Sequence, residues 1–211
     1  MSFNVDPRGI ETRSMEIIAD IVGPRDWAPL EKAIIYRVIH TTGDPNYADR
    51  ICLHPQALTA GQNALKSGCR IITDVEMVNT GINKNALHKL GIKSRCFLNE
   101  PRVRETAKQT GETRSMTAFK LAGQQLDNSI IAIGNAPTAL FTLLELCKSE
   151  NIRPALIIGV PVGFVGAAES KDLLVAESPV PFITVKGTKG GSPVAAAVVN
   201  AFLYSLVERN D

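Results

Sequence analysis

A chain of 211 residues with 45% apolar and 21% charged side chains has an ordinary globular make-up and enough length for a sizeable core. Its net charge is +2, and its basic residues are scattered among one tryptophan and three tyrosines, so nothing electrostatic calls for a nucleic-acid partner. No secretory apolar region opens it and no apolar run reaches the ~18 residues a membrane span requires, so no membrane partner and a cytoplasmic location are expected.

The first fifty residues read as helical. Ile10, Met15, Ile17, Ile18, Ile21 and Val22 form an apolar face that stops at Gly23-Pro24. A second helix is expected with Asp26 as its cap and Pro29 in its first turn. Leu30, Ile34, Ile35, Val38 and Ile39 make its buried side. His40 falls in its last turn, before the strong stop Thr41-Thr42-Gly43-Asp44-Pro45.

From residue 55 onward helices and strands alternate. A helix over 55–66 precedes a strand over 70–75, and a short helix stopping at Gly91 precedes a strand over 92–98. Helices over 101–109 and 114–126 follow, divided at Gly111. The third strand is the most informative. The buried run from Ser129 to Ile133 breaks at Gly134, Asn135 follows in N-cap position, and Pro137 opens a helix reaching about residue 149. The free N–H groups of such a helix point into the crevice at the strand's carboxyl end, where anions are favoured. Strands over 155–160 and 181–185 and helices over 167–176 and 193–207 complete the series.

This alternation predicts a three-layer α/β fold: a five-stranded parallel sheet with helices on both faces, preceded by an N-terminal helical segment. One domain over 1–211 is expected, with helices in 1–50 and the α/β core in 51–211. A flavodoxin-like order, 2-1-3-4-5, would put the topological switch between the first and third strands, with the loops after Val75 and Ile133 flanking the crevice. Cys52, Cys69, Cys96 and Cys147 are widely spaced, form no Cys-x-x-Cys pair, and read as buried reduced thiols.

Three loops at strand carboxyl ends are rich in small residues: 134–138, 159–166 and 186–192. Glycine lets backbone N–H groups approach a ligand closely, and Lys186 and Lys189 add positive charge. None fits a phosphate-loop or dinucleotide pattern. Alone, each reads as a tight turn; three at one end of one sheet favour a large ligand. Thr113 or Ser115 could cap the helix beginning near Arg114, and Arg114 could hold a carboxylate, the alternative being a solvated helix start. Arg13 and Ser14, inside the first helix, carry no functional signal by themselves.

Of the three histidines, His54 reads as a helix start and His88 as solvated. His40 sits where a helix C-terminus favours a protonated ring. No second ligand stands near it, so no metal site is expected, and no nucleophile elbow occurs. It is either a lone acid–base histidine or a satisfied helix-end residue, and spacing alone favours the second.

Together these segments resemble the precorrin-8X methylmutase family, also called cobalt-precorrin-8 methylmutase, of cobalamin biosynthesis. The resemblance covers about residues 7–204 and is most specific at 132–141 and 161–171, with support from 73–78, 113–115 and 187–192. It implies an isomerase that moves a methyl group from C-11 to C-12 of the corrin macrocycle. The precorrin-8 stage becomes hydrogenobyrinate, or the cobalt-bearing substrate becomes cobyrinate. No external cofactor takes part. It also implies His40 as the catalytic histidine, Ser14 as a substrate-binding residue with Arg13 beside it, and a homodimer with sites where two subunits meet. The substrate's rim of carboxylates suits Arg13, Arg114, Lys186 and Lys189, together with the polar groups of Thr113, Ser115 and Asn135. Two other readings stand beside it. A non-catalytic tetrapyrrole carrier shares every ligand-wall feature, and a flavodoxin-like nucleotide binder would need a phosphate loop that the sequence lacks.

Overall fold

The computed structural model describes residues 7–207; the expected domain over 1–211 extends past this range at both ends. Two helices come first, Pro7–Val22 (α1) and Pro29–Thr42 (α2), followed by a 3-10 turn over Pro45–Asp49. Then come Ile51–Leu53 (β1), Ala57–Lys66 (α3), Ile71–Thr73 (β2), Glu76–Gly81 (α4), Lys84–Lys89 (α5) and Ser94–Cys96 (β3). Next are Pro101–Thr110 (α6), Arg114–Ala122 (α7), Ile130–Ile133 (β4) and Pro137–Ser149 (α8). Leu156–Gly159 (β5), Ala167–Glu177 (α9), Phe182–Val185 (β6) and Ser192–Tyr204 (α10) finish the described chain.

The strands form one sheet in the order β1-β6-β5-β4-β2-β3. Strands β2 to β6 are parallel and take the expected 2-1-3-4-5 order, so the switch point lies between β2 and β4. The expected five-stranded sheet is one strand short. β1 pairs antiparallel with the β6 edge, Ile51 opposite Val185, which makes the sheet six-stranded and mixed. Three half-buried residues show no alternation. Only pairing with a strand far downstream makes them a strand.

The sheet separates two apolar layers by the period-two rule for strands. Ile71, Ile130, Ala132, Leu156, Ile158, Ile183 and Val185 face a core that includes Ile34, Ile35, Val38 and Ile39 of α2 and Val194, Val198 and Phe202 of α10. Ile72, Ile131, Ile133, Ile157 and Phe182 face the core shared with α7, α8 and α9. Each fully buried Ile contributes roughly 1.5–3 kcal/mol, so β4, with four residues at most 1% exposed, is the best-anchored strand.

Two expected caps are replaced. Ala28, not Asp26, holds the N-cap position of α2, with no side-chain bond; Pro29 already removes one of the donors a cap would serve. Ala136, not Asn135, holds that of α8, because the loop's N–H groups find another acceptor, described below. The four cysteines are free, only Cys147 being fully buried; Cys52, Cys69 and Cys96 are half-buried. No helix among the described residues is long and apolar enough to cross a membrane.

Candidate active site

Asp74 directly follows β2 at the switch point, 1% exposed, and its carboxylate reaches across to the loop that follows β4. Oδ1 accepts the Gly134 N–H at 3.1 Å, and Oδ2 accepts those of Asn135 and Ala136 at 2.8 Å each. Burial pushes this carboxyl above the ordinary aspartate range, while the three N–H donors pull the other way. Three N–H groups of the loop leading into α8, the last of them on its N-cap residue Ala136, are therefore already bound to the chain's own carboxylate. A Cβ on Gly134 would lie 2.7 Å from the Ser192 Cα, so only glycine lets this loop touch the start of α10.

On one side of that loop stand the N-termini of α7 and α8. Thr113, rather than Ser115, caps α7, its Oγ1 accepting the Met116 N–H at 3.2 Å. The same hydroxyl lies 3.2 Å from Thr138 Oγ1 in the first turn of α8, which joins the two helix starts. Arg114 is exposed, with no partner among the described residues, and Ser115 is half-buried beside it. The exposed Asn135 adjoins this group.

On the other side, the loop after β6 is tied to the end of α2. Lys189 Nζ pairs with the Asp44 carboxylate and lies 5.7 Å from the Tyr47 ring centroid. Tyr47 donates its hydroxyl to the Gly190 carbonyl at 3.5 Å. Asp44 also caps the 3-10 turn, accepting the Asn46 N–H at 3.0 Å, and the Lys189 ammonium is the main reason its carboxyl is held below the usual range. His40 is one turn before this knot. Its ring is exposed and has no partner among the described residues. Lys186 is exposed at the end of β6.

The three glycine-rich loops meet. Gly163 N–H donates to the Thr188 carbonyl at 3.1 Å, and Gly191 N–H to that of Val160 at 2.9 Å. A Cβ on Gly166 would lie 3.5 Å from Pro137 and Phe141 at the start of α8. Beside them an apolar rim stands open, with Phe164 92% and Val165 89% exposed. Arg13 and Ser14 are less integrated: Arg13 pairs with Glu16 on α1 at 2.8 Å, and Ser14 donates its hydroxyl to the Ile10 carbonyl. A link from Arg37 to Glu11 at 3.4 Å holds α1 against α2 about one turn from His40.

Asp74, Asp44 and Tyr47 were not singled out by sequence reasoning as site residues. Only Asp74 carried a signal, a charge placed directly after a buried β-branched run.

A largely parallel α/β sheet with its loops gathered over the switch-point edge, one turn from a histidine that has no partner among the described residues, defines a doubly wound protein, a class whose ligands sit at strand carboxyl ends. Its relatives narrow this class. The precorrin-8X methylmutase family model matches residues 9–205. The cobalt-precorrin-8 methylmutase of Salmonella typhimurium is 45% identical over 214 residues, covering 99% of this chain and 100% of that one. The precorrin-8X methylmutase of Pseudomonas aeruginosa is 46% identical over 175 residues, covering 82% and 83%. A crystal structure of the precorrin-8X methyl mutase from Thermus thermophilus superposes with a TM-score of 0.87 at 37% identity, covering 93% of this chain and 94% of that one. The chain belongs to the precorrin-8X methylmutase family, and is an isomerase.

Proposed function

We propose that this enzyme moves a methyl group from C-11 to C-12 of a corrin ring in cobalamin biosynthesis, taking precorrin-8X to hydrogenobyrinate or cobalt-precorrin-8 to cobyrinate, with His40 as acid and base. The observation that carries the reading is the exposed imidazole of His40 on a helix end tied, within one chain, to a loop at the carboxyl edge of the sheet. The bond from the methyl carbon to C-11 breaks as its bond to C-12 forms. Composition and oxidation level stay unchanged, and no co-reactant enters the balance. A proton placed on a ring nitrogen draws electron density away from the migrating bond, and a histidine can lend and retake that proton near neutral pH.

The rest of the site binds and orients. Phe164 and Val165, 92% and 89% exposed, offer apolar surface to a flat macrocycle. Arg114 and Lys186 take its carboxylates in charge-assisted hydrogen bonds, with Thr113, Ser115 and Asn135 beside them. Lys189 acts differently, because Asp44 already holds it. Its place is in the wall rather than on the ligand.

The working unit is a homodimer in this reading. α1 leaves Ile10, Ile17 and Ile21 45%, 44% and 59% exposed, and helical spacing puts Arg13 and Ser14 on the same face. A second copy covering that stripe would draw both residues into the site. Sedimentation velocity should then find a dimer that Ile17→Glu converts to monomer; a variant that stays dimeric removes the stripe from the interface.

The reaction itself is tested by an anaerobic single-turnover absorbance trace with the precorrin-8 substrate. His40→Ala should still bind product but lose roughly 10²–10⁴-fold in rate, the usual worth of general acid–base catalysis. Turnover that survives would take His40 out of the mechanism. No turnover by the wild type, with binding intact, would leave a tetrapyrrole carrier.

A further inference from the structure

Lys171 is among the largest fully buried side chains of the described residues, at 1% exposure on the inner face of α9. Among those residues, the one hydrogen bond of its ammonium is to the Lys189 carbonyl, at 2.6 Å. No carboxylate stands within ion-pair distance of it among them; Asp172, its neighbour in sequence, acts only through space. Desolvation pulls its pKa down to about 8, the mark of a cation held where water does not reach. A methionine would fill nearly the same volume without that cost, so the ammonium must be explained by what it holds.

What it holds is the hinge of the His40 corner. Gly190 has φ 153°, and a Cβ there would overlap the Val160 carbonyl oxygen, so the peptide after Lys189 is pressed against the end of β5. The Lys189 side chain leaves in the other direction to Asp44, and Tyr47 closes on Gly190. Asp44 directly follows Gly43, the left-handed cap of α2, whose N–H bonds the Ile39 carbonyl at 2.8 Å. Apolar packing fixes α2 only as far as Ile39, 3% exposed. His40 lies just beyond the last packed residue, so the turn that follows sets its position.

We propose that Lys171 is a positioning residue: by fixing the Lys189 carbonyl it fixes, through the Lys189–Asp44 pair, where His40 stands at the carboxyl edge of the sheet. This rests on the reading of His40 as the acid–base group. Lys171 need not touch the substrate.

The test compares Lys171→Met and Asp44→Asn with the full-length wild type by two readouts: the ring nitrogen resonances of ¹⁵N-labelled His40, and the single-turnover rate against product affinity. Lys171→Met should move the His40 signals and slow turnover roughly tenfold to a hundredfold, the scale of a small misplacement of a reacting group. Product affinity should change by less than about threefold, because no ligand contact is lost. Asp44→Asn keeps a capping side chain and loses only the ion pair, so it should act in the same direction but more weakly. The double variant should be no worse than Lys171→Met, since both cut one chain of contacts.

Unmoved His40 signals and an unchanged rate in folded Lys171→Met would overturn the proposal and leave Lys171 a loop brace. If that variant does not fold, unmoved His40 signals in Asp44→Asn would overturn it equally. Signals that move in an enzyme whose wild type shows no methyl shift would keep the coupling and overturn the reaction reading instead.

Discussion

The start of α8 and the corner between β6 and α2 carry the same local signal, glycine and positive electrostatic character at a strand's carboxyl end, yet the fold uses them differently. At α8 the chain supplies its own anion. Asp74 takes three N–H groups from a neighbouring strand and closes the site. At the β6 corner the chain also supplies a carboxylate, Asp44, but it pairs with Lys189 and leaves His40 and Lys186 open. The difference teaches that a helix N-terminus is a ligand site only if the topology brings no carboxylate to it. It also teaches that a pairing can serve a site by holding a wall rather than filling it.

The sharpest way to break this comparison is Asp74→Ala. Three buried N–H groups lose their acceptor, and the variant should be less stable by ~3 kcal/mol in chemical denaturation. Formate is small enough for the vacated space, so it should restore stability to the variant and leave the wild type unaffected. Asp74 would cease to be the structural anion of the switch point if the loss stayed under about 1 kcal/mol.

A smaller effect sharpens it from the side of the charges. Arg114→Ala removes an exposed cation with no partner among the described residues and should weaken product binding by about tenfold or more, the worth of one charge-assisted bond, with little change in the bound-state rate. Lys189→Ala removes a paired one and should do the reverse, slowing turnover while affinity holds within a few-fold. Titrations of product against both variants, with single-turnover traces at saturation, would separate the roles. Equal losses of affinity would place Lys189 on the ligand after all.

The sequence reading reached far into the fold because most of its features are local. The strand β4, its break at Gly134 and the Pro137 start of α8 follow from β-branched burial and the geometry of glycine and proline. The order of the five parallel strands is the flavodoxin-like one expected for this alternation of helices and strands. The antiparallel β1 lay beyond reach, since three half-buried residues become a strand only through β6. Asp26 and Asn135 looked like caps, and neither is one. Cap chemistry can be read locally, but whether another acceptor arrives cannot.

By itself, then, the sequence determined the alternating helices and strands, the parallel α/β class, the three small-residue loops at one edge and the place of His40 at a helix end. These depend on periodicity, backbone preference and chain connectivity over short spans. Only the tertiary structure decided that Asp74 fills the α8 start, that Thr113 meets Thr138, and that Lys171, Lys189 and Asp44 link α9 to the His40 helix. Each of those contacts joins residues far apart in the chain. Their distances are set by how the two cores pack against the sheet, and no local preference encodes them.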